Sequence, residues 1–169
     1  MKKVILTSGP RGAGKSRYCK TIVQQSPEII IVSRDDVLME LFGKTSLNPY
    51  DGSMHYGYDV YWKRIQEILK LDNYFLIMDC WNGTSGERIN TIRTLRMSGV
   101  EQVICWQFIT PLQDCLKWFF QKEDSRGYIE SGIRRDYALY HELAASIEED
   151  GFDSVVKINP LQLEFSIFS

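Results

Sequence analysis

The feature that most constrains the fold is a glycine-rich run near the start of the chain. Residues 9–16 read Gly-Pro-Arg-Gly-Ala-Gly-Lys-Ser and match the pattern G-x-x-x-x-G-K-[ST] in full. An apolar run over 3–8 precedes the motif, and a helix-like stretch over 14–25 follows it. Glycines let the backbone curl so that successive N–H groups face a phosphate, and the helix N-terminus adds its positive end. The motif therefore predicts a strand, a phosphate-binding loop (P-loop) and a helix.

The side chains of this motif suit a nucleoside triphosphate and its metal ion. Lys15 can bridge the β- and γ-phosphates, and Ser16 can offer its hydroxyl oxygen to Mg²⁺. ATP and Mg²⁺ are therefore the predicted cofactors. The predicted nucleotide-binding residues of the loop are Gly9, Pro10, Arg11, Gly12, Ala13, Gly14, Lys15, Ser16 and Arg17.

Apolar strand-like runs alternate with amphipathic stretches along the chain. The predicted strands are 3–8, 28–33, 74–79, 101–108 and 154–158, and the predicted helices are 14–25, 35–42, 55–71, 85–97, 111–122 and 132–149. Near-continuous apolar strands are typical of a parallel sheet covered on both faces. We therefore predict a single α/β domain over 1–169, a three-layer doubly wound sandwich. The tail, 160–169, alternates with period 2 and predicts an edge strand of the monomer or a strand added to a partner chain.

Local signals also mark where two of these helices begin. Asp36 is the predicted N-cap of the helix after the second strand, with Asp35 as the alternative. Ser85 is the candidate cap of the helix over 85–97, and Glu87 in its first turn supports that helix through its dipole.

Composition limits the compartment and the partners. No apolar run approaches the roughly 20 residues that span a bilayer, and the N-terminal apolar stretch stops at Thr7, too short for a signal peptide. The four cysteines form no Cys-x-x-Cys pair. We therefore expect a cytoplasmic protein with no membrane partner. A net charge of −2 disfavours nonspecific binding to duplex DNA, without arguing against a small basic pocket.

A carboxylate closes the third predicted strand. Asp79 ends the run Leu-Ile-Met-Asp, the position from which an acidic residue can hold Mg²⁺ opposite Ser16. The next residue is Cys80, whereas motor-type ATPases usually carry a water-activating glutamate there. The Asn-Lys-x-Asp pattern by which GTPases read guanine does not occur. Both absences favour a kinase.

Asp35 is the predicted general base. The second strand ends at Ser33, and Arg34-Asp35-Asp36 follows at the carboxyl edge of the predicted sheet, where ligands of open α/β folds bind. A carboxylate there can accept the proton of an attacking hydroxyl. Arg34 is a candidate for pairing with a phosphate of the acceptor, and a surface salt bridge is its alternative role.

Arginines and glycines are concentrated in the segment 122–134. Small kinases place a closing lid after the fourth strand and its helix, and lid arginines neutralise charge and exclude water during transfer. Arg126 is the first candidate for this role, also as a nucleotide-binding residue, and Arg134 is the second. The alternative is a solvated charged face.

Aromatic residues are frequent between the second and third predicted strands. Tyr58, Tyr61 and Trp62 share a helical face and are expected in the core. The others can stack on an acceptor base, and Tyr56 joins Arg34 and Asp35 as a predicted substrate residue. The stacking candidates are Tyr50, His55 and Tyr56.

These elements together resemble the 5′-kinase domain of bacteriophage polynucleotide kinase. The resemblance extends over about residues 3–145 and is carried by the P-loop, Ser33-Arg34-Asp35-Asp36, Asp79 and Ser125-Arg126-Gly127. It implies the sheet order 2-3-1-4-5 with the first strand central. It also implies that Asp35 is the general base and that Arg126 contacts the ATP phosphates. Leu38, where that family carries an acceptor-binding arginine, and Cys80-Trp81 depart from the pattern.

The sequence thus predicts transfer of the γ-phosphoryl group of ATP to an acceptor hydroxyl. A nucleic-acid 5′-hydroxyl is the first acceptor candidate. Gluconate-type kinases, seryl-tRNA kinases and the zeta-toxin group share the same skeleton, so a small metabolite, a nucleotide or a tRNA-linked amino acid is the alternative. A nucleotide-binding regulatory or ATPase-like protein, with a structural Asp35, is the competing hypothesis from another class.

Overall fold

Five parallel strands form the sheet on which the helices pack. The structure is a computed structural model, and it describes residues 1–122, 125 and 127–162. The strand order is β2-β3-β1-β4-β5, and all four neighbouring pairs are parallel. The predicted α/β class and the order implied by the resemblance are therefore confirmed. The strands are β1 (Lys2–Ser8), β2 (Ile29–Ser33), β3 (Tyr74–Asp79), β4 (Gln102–Phe108) and β5 (Ser154–Ile158).

Six α-helices and a 3₁₀ helix connect and cover the strands in the described part of the chain. The helices are α1 (Lys15–Gln25), α2 (Arg34–Phe42), α3 (Ser53–Leu69), α4 (Ser85–Met97), α5 (Leu112–Phe120), α6 (Glu130–Leu143) and the 3₁₀ helix Ala144–Glu149. The predicted helix over 132–149 is therefore α6 followed by the 3₁₀ segment. None of the described helices combines the length and the apolar character that crossing a bilayer requires. Of the predicted edge strand in 160–169, residues 163–169 lie outside the described residues.

Both faces of the sheet are buried, which explains the continuous apolar runs of the strands. On β1, Val4 and Leu6 join one core cluster with residues of α3 and α4, while Ile5 joins the other cluster with residues of α1 and α5. Tyr61 of α3 is 1% exposed, as its helical spacing predicted. Tyr58 was expected in the same core but is 43% exposed, because its ring stacks on the outer side of the Tyr61 ring.

The observed caps of α2 and α4 each precede the residue that was predicted for them. Ser33 caps α2, because its side chain accepts the backbone N–H of Asp36 at 3.4 Å, and Asp36 instead pairs with Lys20. The helix thus begins directly at the end of β2. Thr84, not Ser85, caps α4 by accepting the backbone N–H of Glu87 at 3.2 Å.

Ser85 is used elsewhere, in a buried ion pair that ties α4 to the end of the 3₁₀ helix. Arg88 Nε donates to Asp150 at 2.5 Å, and Ser85 Oγ donates to the other carboxylate oxygen at 2.6 Å. The remaining guanidinium nitrogens donate to the carbonyls of Asn82, Gly83 and Leu143. The Arg88 side chain is fully buried, so each of its donors depends on these partners.

We expect Arg88→Met to destabilise the fold strongly. Breaking a buried pair leaves an uncompensated carboxylate, a change that costs about 3–5 kcal/mol in unfolding free energy. Arg64→Met is the matched control, because Arg64 pairs with Glu40 on the surface and its loss should cost a small fraction of that. Denaturant unfolding of both variants measures the difference. Equal losses would contradict the role assigned to the Arg88–Asp150 pair.

Candidate nucleotide and acceptor site

The carboxyl ends of the central strands surround one large cavity. Ser33 lies beside Asp79 in the β2–β3 register, and β1 continues into the P-loop between β3 and β4. The cavity at this edge has a volume of about 980 Å³. Its lining includes Arg11, Gly12, Ala13, Gly14, Lys15, Ser16, Arg17, Arg34, Asp35, Asp79, Cys80, Trp81, Trp118, Lys122, Ser125, Tyr128 and Asp136.

The P-loop requires glycine for space as well as for backbone torsion. Gly12 and Gly14 have φ of 76° and 83°, in the left-handed region. A Cβ on Gly12 would lie 2.4 Å from the carbonyl oxygen of Cys115, and one on Gly14 would lie 2.8 Å from the Trp118 ring. Helix α5 therefore packs directly against the loop and holds its curvature.

A hydroxyl and a carboxylate meet where the metal ion was predicted. Ser16 Oγ donates to one carboxylate oxygen of Asp79 at 2.6 Å, and Thr7 Oγ1 donates to the other at 3.1 Å. Asp79 is 4% exposed, although it lines the cavity. Oxygen ligands of this kind suit Mg²⁺. Ser16 and Asp79 thus have the chemistry and proximity to hold the ion together.

Lys15 is a partly buried cation that faces the same cavity. Its ammonium group donates to the carbonyls of Gly9 and Pro10 at 2.9 and 3.1 Å, and no carboxylate of the described residues forms an ion pair with it. Burial lowers its pKa from the usual value, while the Asp79 charge acts in the opposite direction. A desolvated ammonium beside a cavity and the N-terminus of α1 fits a polyphosphate ligand.

Asp35 and Arg34, at the start of α2, line the same cavity as the P-loop. Arg34 Nη2 lies 3.5 Å from Asp35 Oδ1, and both side chains line the cavity. The structure therefore brings Lys15, Ser16 and Asp79 together with Asp35 around one space, as predicted. The pair also shows that the alternative role of Arg34, a salt bridge, is realised in this conformation.

Other predicted site residues lie in different surroundings. Arg17 lines the cavity. Arg134 forms an ion pair with Glu130 at 3.5 Å and is not part of the described lining. Tyr56 packs against Phe42 and is 56% exposed, also away from that lining. Arg126 lies outside the described residues, and its contact with the nucleotide stays a prediction.

Several contacts around the cavity were not predicted from the sequence. Arg11, predicted as a loop residue, reaches Tyr128 at 3.3 Å and lies 3.6 Å from Asp136 of α6. Lys122 is near enough for its charge to lower the Lys15 pKa. Trp118 covers Gly14. The apolar run containing Trp118 predicted only a helix, because the contact with Gly14 spans more than a hundred residues of sequence.

A scan of protein families finds one match, and it covers most of the chain. The model described as "AAA domain" (AAA_33) matches residues 4–138. That range contains the P-loop, Asp35, Asp79 and the described part of the predicted lid. A comparison with curated protein sequences finds no significant match.

Solved structures share the fold at low sequence identity. A chain of the Pnkp1/Rnl/Hen1 RNA repair complex matches with a TM-score of 0.66 and 17% identity over 86% of this chain and 46% of its own. In a second structure of that complex, the match covers 40% of the matched chain. This chain therefore spans less than half the length of both matched chains. Shikimate kinase from Bacteroides thetaiotaomicron has a TM-score of 0.63 and 12% identity, over 96% and 90% of the two chains. The tunicamycin resistance protein of Deinococcus radiodurans has a TM-score of 0.61 and 13% identity, over 97% and 89%.

We expect Gly12→Ala to destabilise the protein more than Gly43→Ala. Both glycines have similar positive φ, 76° and 69°, so both substitutions carry the same backbone strain. Nothing lies within 4 Å of a Cβ on Gly43, whereas a Cβ on Gly12 would overlap the Cys115 carbonyl. Forced packing adds about 1–3 kcal/mol to the loss at Gly12. Denaturant unfolding measures the difference, and equal losses would show that α5 does not constrain the loop.

We expect Lys15→Met to abolish ATP binding while raising the stability of the nucleotide-free protein at pH 7. Because the folded-state pKa is lowered, the charged Lys15 opposes folding at neutral pH, and this cost fades as pH rises through the folded-state pKa towards 10.5. Unfolding with and without Mg²⁺ and ATP measures both effects. Lys70→Met, which removes an exposed lysine outside the lining of the cavity, is the control. A nucleotide-free Lys15→Met protein less stable than the wild type would contradict the argument.

Proposed function

This chain belongs to the AAA domain family, and we propose that it is an ATP- and Mg²⁺-dependent phosphotransferase that acts on an acceptor hydroxyl. The observation that carries the proposal is the arrangement around one cavity of a P-loop lysine, the Ser16–Asp79 pair and the carboxylate of Asp35. A nucleotide-binding protein needs the first two for binding. Asp35 adds a proton acceptor in the same cavity, which binding alone does not require.

Each of these residues has a defined part in the transfer. Bound ATP with Mg²⁺ supplies the phosphoryl group and the charge that stabilises it. Lys15 and the N-terminus of α1 bind the phosphates, and Ser16 and Asp79 hold the metal ion. Asp35 orients the acceptor hydroxyl and accepts its proton at a carboxylate oxygen. Arg34, 3.5 Å away, holds that carboxylate in place.

The lid completes the proposal. Arg126 contacts the phosphates, and Arg134 joins it after leaving Glu130. Lys122, Ser125 and Tyr128 of the same segment already line the cavity, which supports a segment that closes over the nucleotide. The four cysteines are free, as a reducing compartment maintains them, and this supports a cytoplasmic location.

The comparisons support a family of small kinases and leave several acceptors open. Among the neighbours of known fold, one belongs to an RNA repair complex, one is a shikimate kinase and one confers resistance to tunicamycin. A nucleic-acid 5′-hydroxyl and the hydroxyl of a small molecule are therefore both candidates. The small cavity beside Arg34 favours the small molecule.

We expect Asp35→Asn to lower kcat by about 100-fold to 10,000-fold, because the amide cannot accept the proton. The measurement is transfer of label from γ-labelled ATP to nucleosides, nucleotides, sugars, tRNA and 5′-hydroxyl oligonucleotides. Asp36→Asn is the matched control, because Asp36 follows in sequence but pairs with Lys20. It should retain wild-type kcat.

Binding of ATP to Asp35→Asn should stay within about twofold of the wild type, since the residue acts on the acceptor. A variant that keeps full transfer activity would remove Asp35 as the base. A wild-type protein that binds ATP but labels no acceptor would instead support the regulatory function.

A further inference from the structure

A second, smaller cavity adjoins the nucleotide cavity. It has a volume of about 400 Å³, a size suited to a small molecule. Arg34 and Met54 line both cavities, and Arg34 lies 3.5 Å from Asp35, which lines the larger one. A hydroxyl of a molecule in the smaller cavity can therefore approach the carboxylate that the proposed function assigns as the base.

One side of the smaller cavity suits a ring or an apolar body. Leu38, which is 2% exposed, Pro49 and Met54 contribute apolar surface. The Tyr58 ring stacks on the buried Tyr61 ring, with centroids 6.1 Å apart, and is thereby held in place. Aromatic and aliphatic walls of this kind bind planar or apolar groups through dispersion and burial.

The charges of the smaller cavity leave one carboxylate without a partner. Arg34 pairs with Asp35 at 3.5 Å, and His55 lies 3.5 Å from Asp59. Glu87 lines the cavity from the first turn of α4, and its carboxylate forms no hydrogen bond or ion pair with another residue in the described ranges. The lining thus carries one cation and one carboxylate; Arg34 is engaged with Asp35 outside this lining, whereas Glu87 is free to bind a ligand. Such a site attracts an N–H donor and repels phosphate.

Behind this wall lies a second polar group without a partner. The hydroxyl of Tyr61 is buried, and no other described residue accepts or donates a hydrogen bond to it. Burial raises the pKa of this hydroxyl, and Tyr61 is not part of the described lining of either cavity.

We propose that the smaller cavity, here called the Glu87 cavity, binds the phosphoryl acceptor. The acceptor is a small, unphosphorylated alcohol with a ring and an N–H donor that Glu87 recognises, such as a nucleoside or an amino sugar, and not a nucleic-acid end. The proposal rests on the proposed function. The acceptor oxygen forms the new bond to the γ-phosphorus, the bond from that phosphorus to the β–γ bridging oxygen breaks, ADP leaves, and the hydroxyl proton goes to Asp35.

The first experiment compares acceptors that differ by one phosphate. Each of the four ribonucleosides and its 3′-monophosphate offer the same 5′-hydroxyl, and glucosamine and a 5′-hydroxyl oligonucleotide complete the set. With γ-labelled ATP and the wild-type chain, we expect label on the nucleosides or on glucosamine, with kcat/KM at least about 10-fold above that of any phosphorylated acceptor. A preference for the 3′-monophosphates or the oligonucleotide would overturn the Glu87 cavity proposal and leave the kinase intact. No label on any acceptor would contradict the proposed function itself.

The second experiment changes the carboxylate. For the best unphosphorylated acceptor, Glu87→Gln should raise KM by about 10-fold to 100-fold, as expected for the loss of a hydrogen bond to a charged group. Its kcat and its KM for ATP should stay within about twofold. Asp114→Asn is the matched control, because Asp114 is a first-turn carboxylate of α5 outside the lining of both cavities. An unchanged acceptor KM in Glu87→Gln would overturn the proposal.

A charge reversal gives the opposite readout. Glu87→Lys should lower the ratio of kcat/KM for a nucleoside to that for its 3′-monophosphate by at least about 10-fold, since the cation then attracts the phosphate. Unfolding curves of each variant separate this effect from a loss of structure. An unchanged ratio in a folded Glu87→Lys protein would show that the cavity does not read acceptor charge.

Discussion

The hydroxyl of Thr7 fixes the ends of β1 and β3 against each other, and the site depends on that junction. Its single proton is shared between Asp79 at 3.1 Å and the carbonyl of Cys80 at 3.0 Å, and its oxygen accepts the backbone N–H of Cys80 at 3.1 Å. Because β1 continues directly into the P-loop, this junction sets where the loop starts relative to Asp79. Ser16, the last residue of the P-loop motif, then comes within 2.6 Å of the same carboxylate. A pairwise contact between neighbouring strands thus determines the metal-binding geometry.

The sequence predicted the parts of the site that depend on local pattern and on parallel strand order. The P-loop, Asp79 and Asp35 each follow an apolar strand, and parallel strands end at a common edge, so their meeting was foreseeable. The sheet order needed more than pattern, and the resemblance to a kinase family supplied it. Helix caps were displaced because Ser33 and Thr84 serve the backbone where Asp36 and Ser85 were equally plausible by type.

Long-range contacts account for what the sequence did not predict. Arginine is a residue type that is usually exposed on a helix. The burial of Arg88 depends on its ion pair with Asp150, far along the chain. Tyr58 has the helical spacing of a core residue, but Tyr61 occupies the core, and the Tyr58 ring stacks on it and stays exposed. Glu87 has the position of an ordinary helix-start carboxylate. What distinguishes Glu87 is the cavity that it lines together with residues of α2 and α3, which are distant in sequence.

The buried ion pair of Arg88 also indicates that the folding unit extends beyond the residues of the family match. The AAA domain model stops at residue 138, yet the carboxylate that neutralises this buried cation is Asp150, and β5 lies further on still. The guanidinium holds the carbonyls of Asn82 and Gly83, which immediately follow the Asp79–Cys80 wall of the nucleotide cavity. A chain that ended at residue 138 would leave the buried Arg88 cation without its carboxylate partner. The segment beyond the family match thus stabilises the wall of the nucleotide cavity.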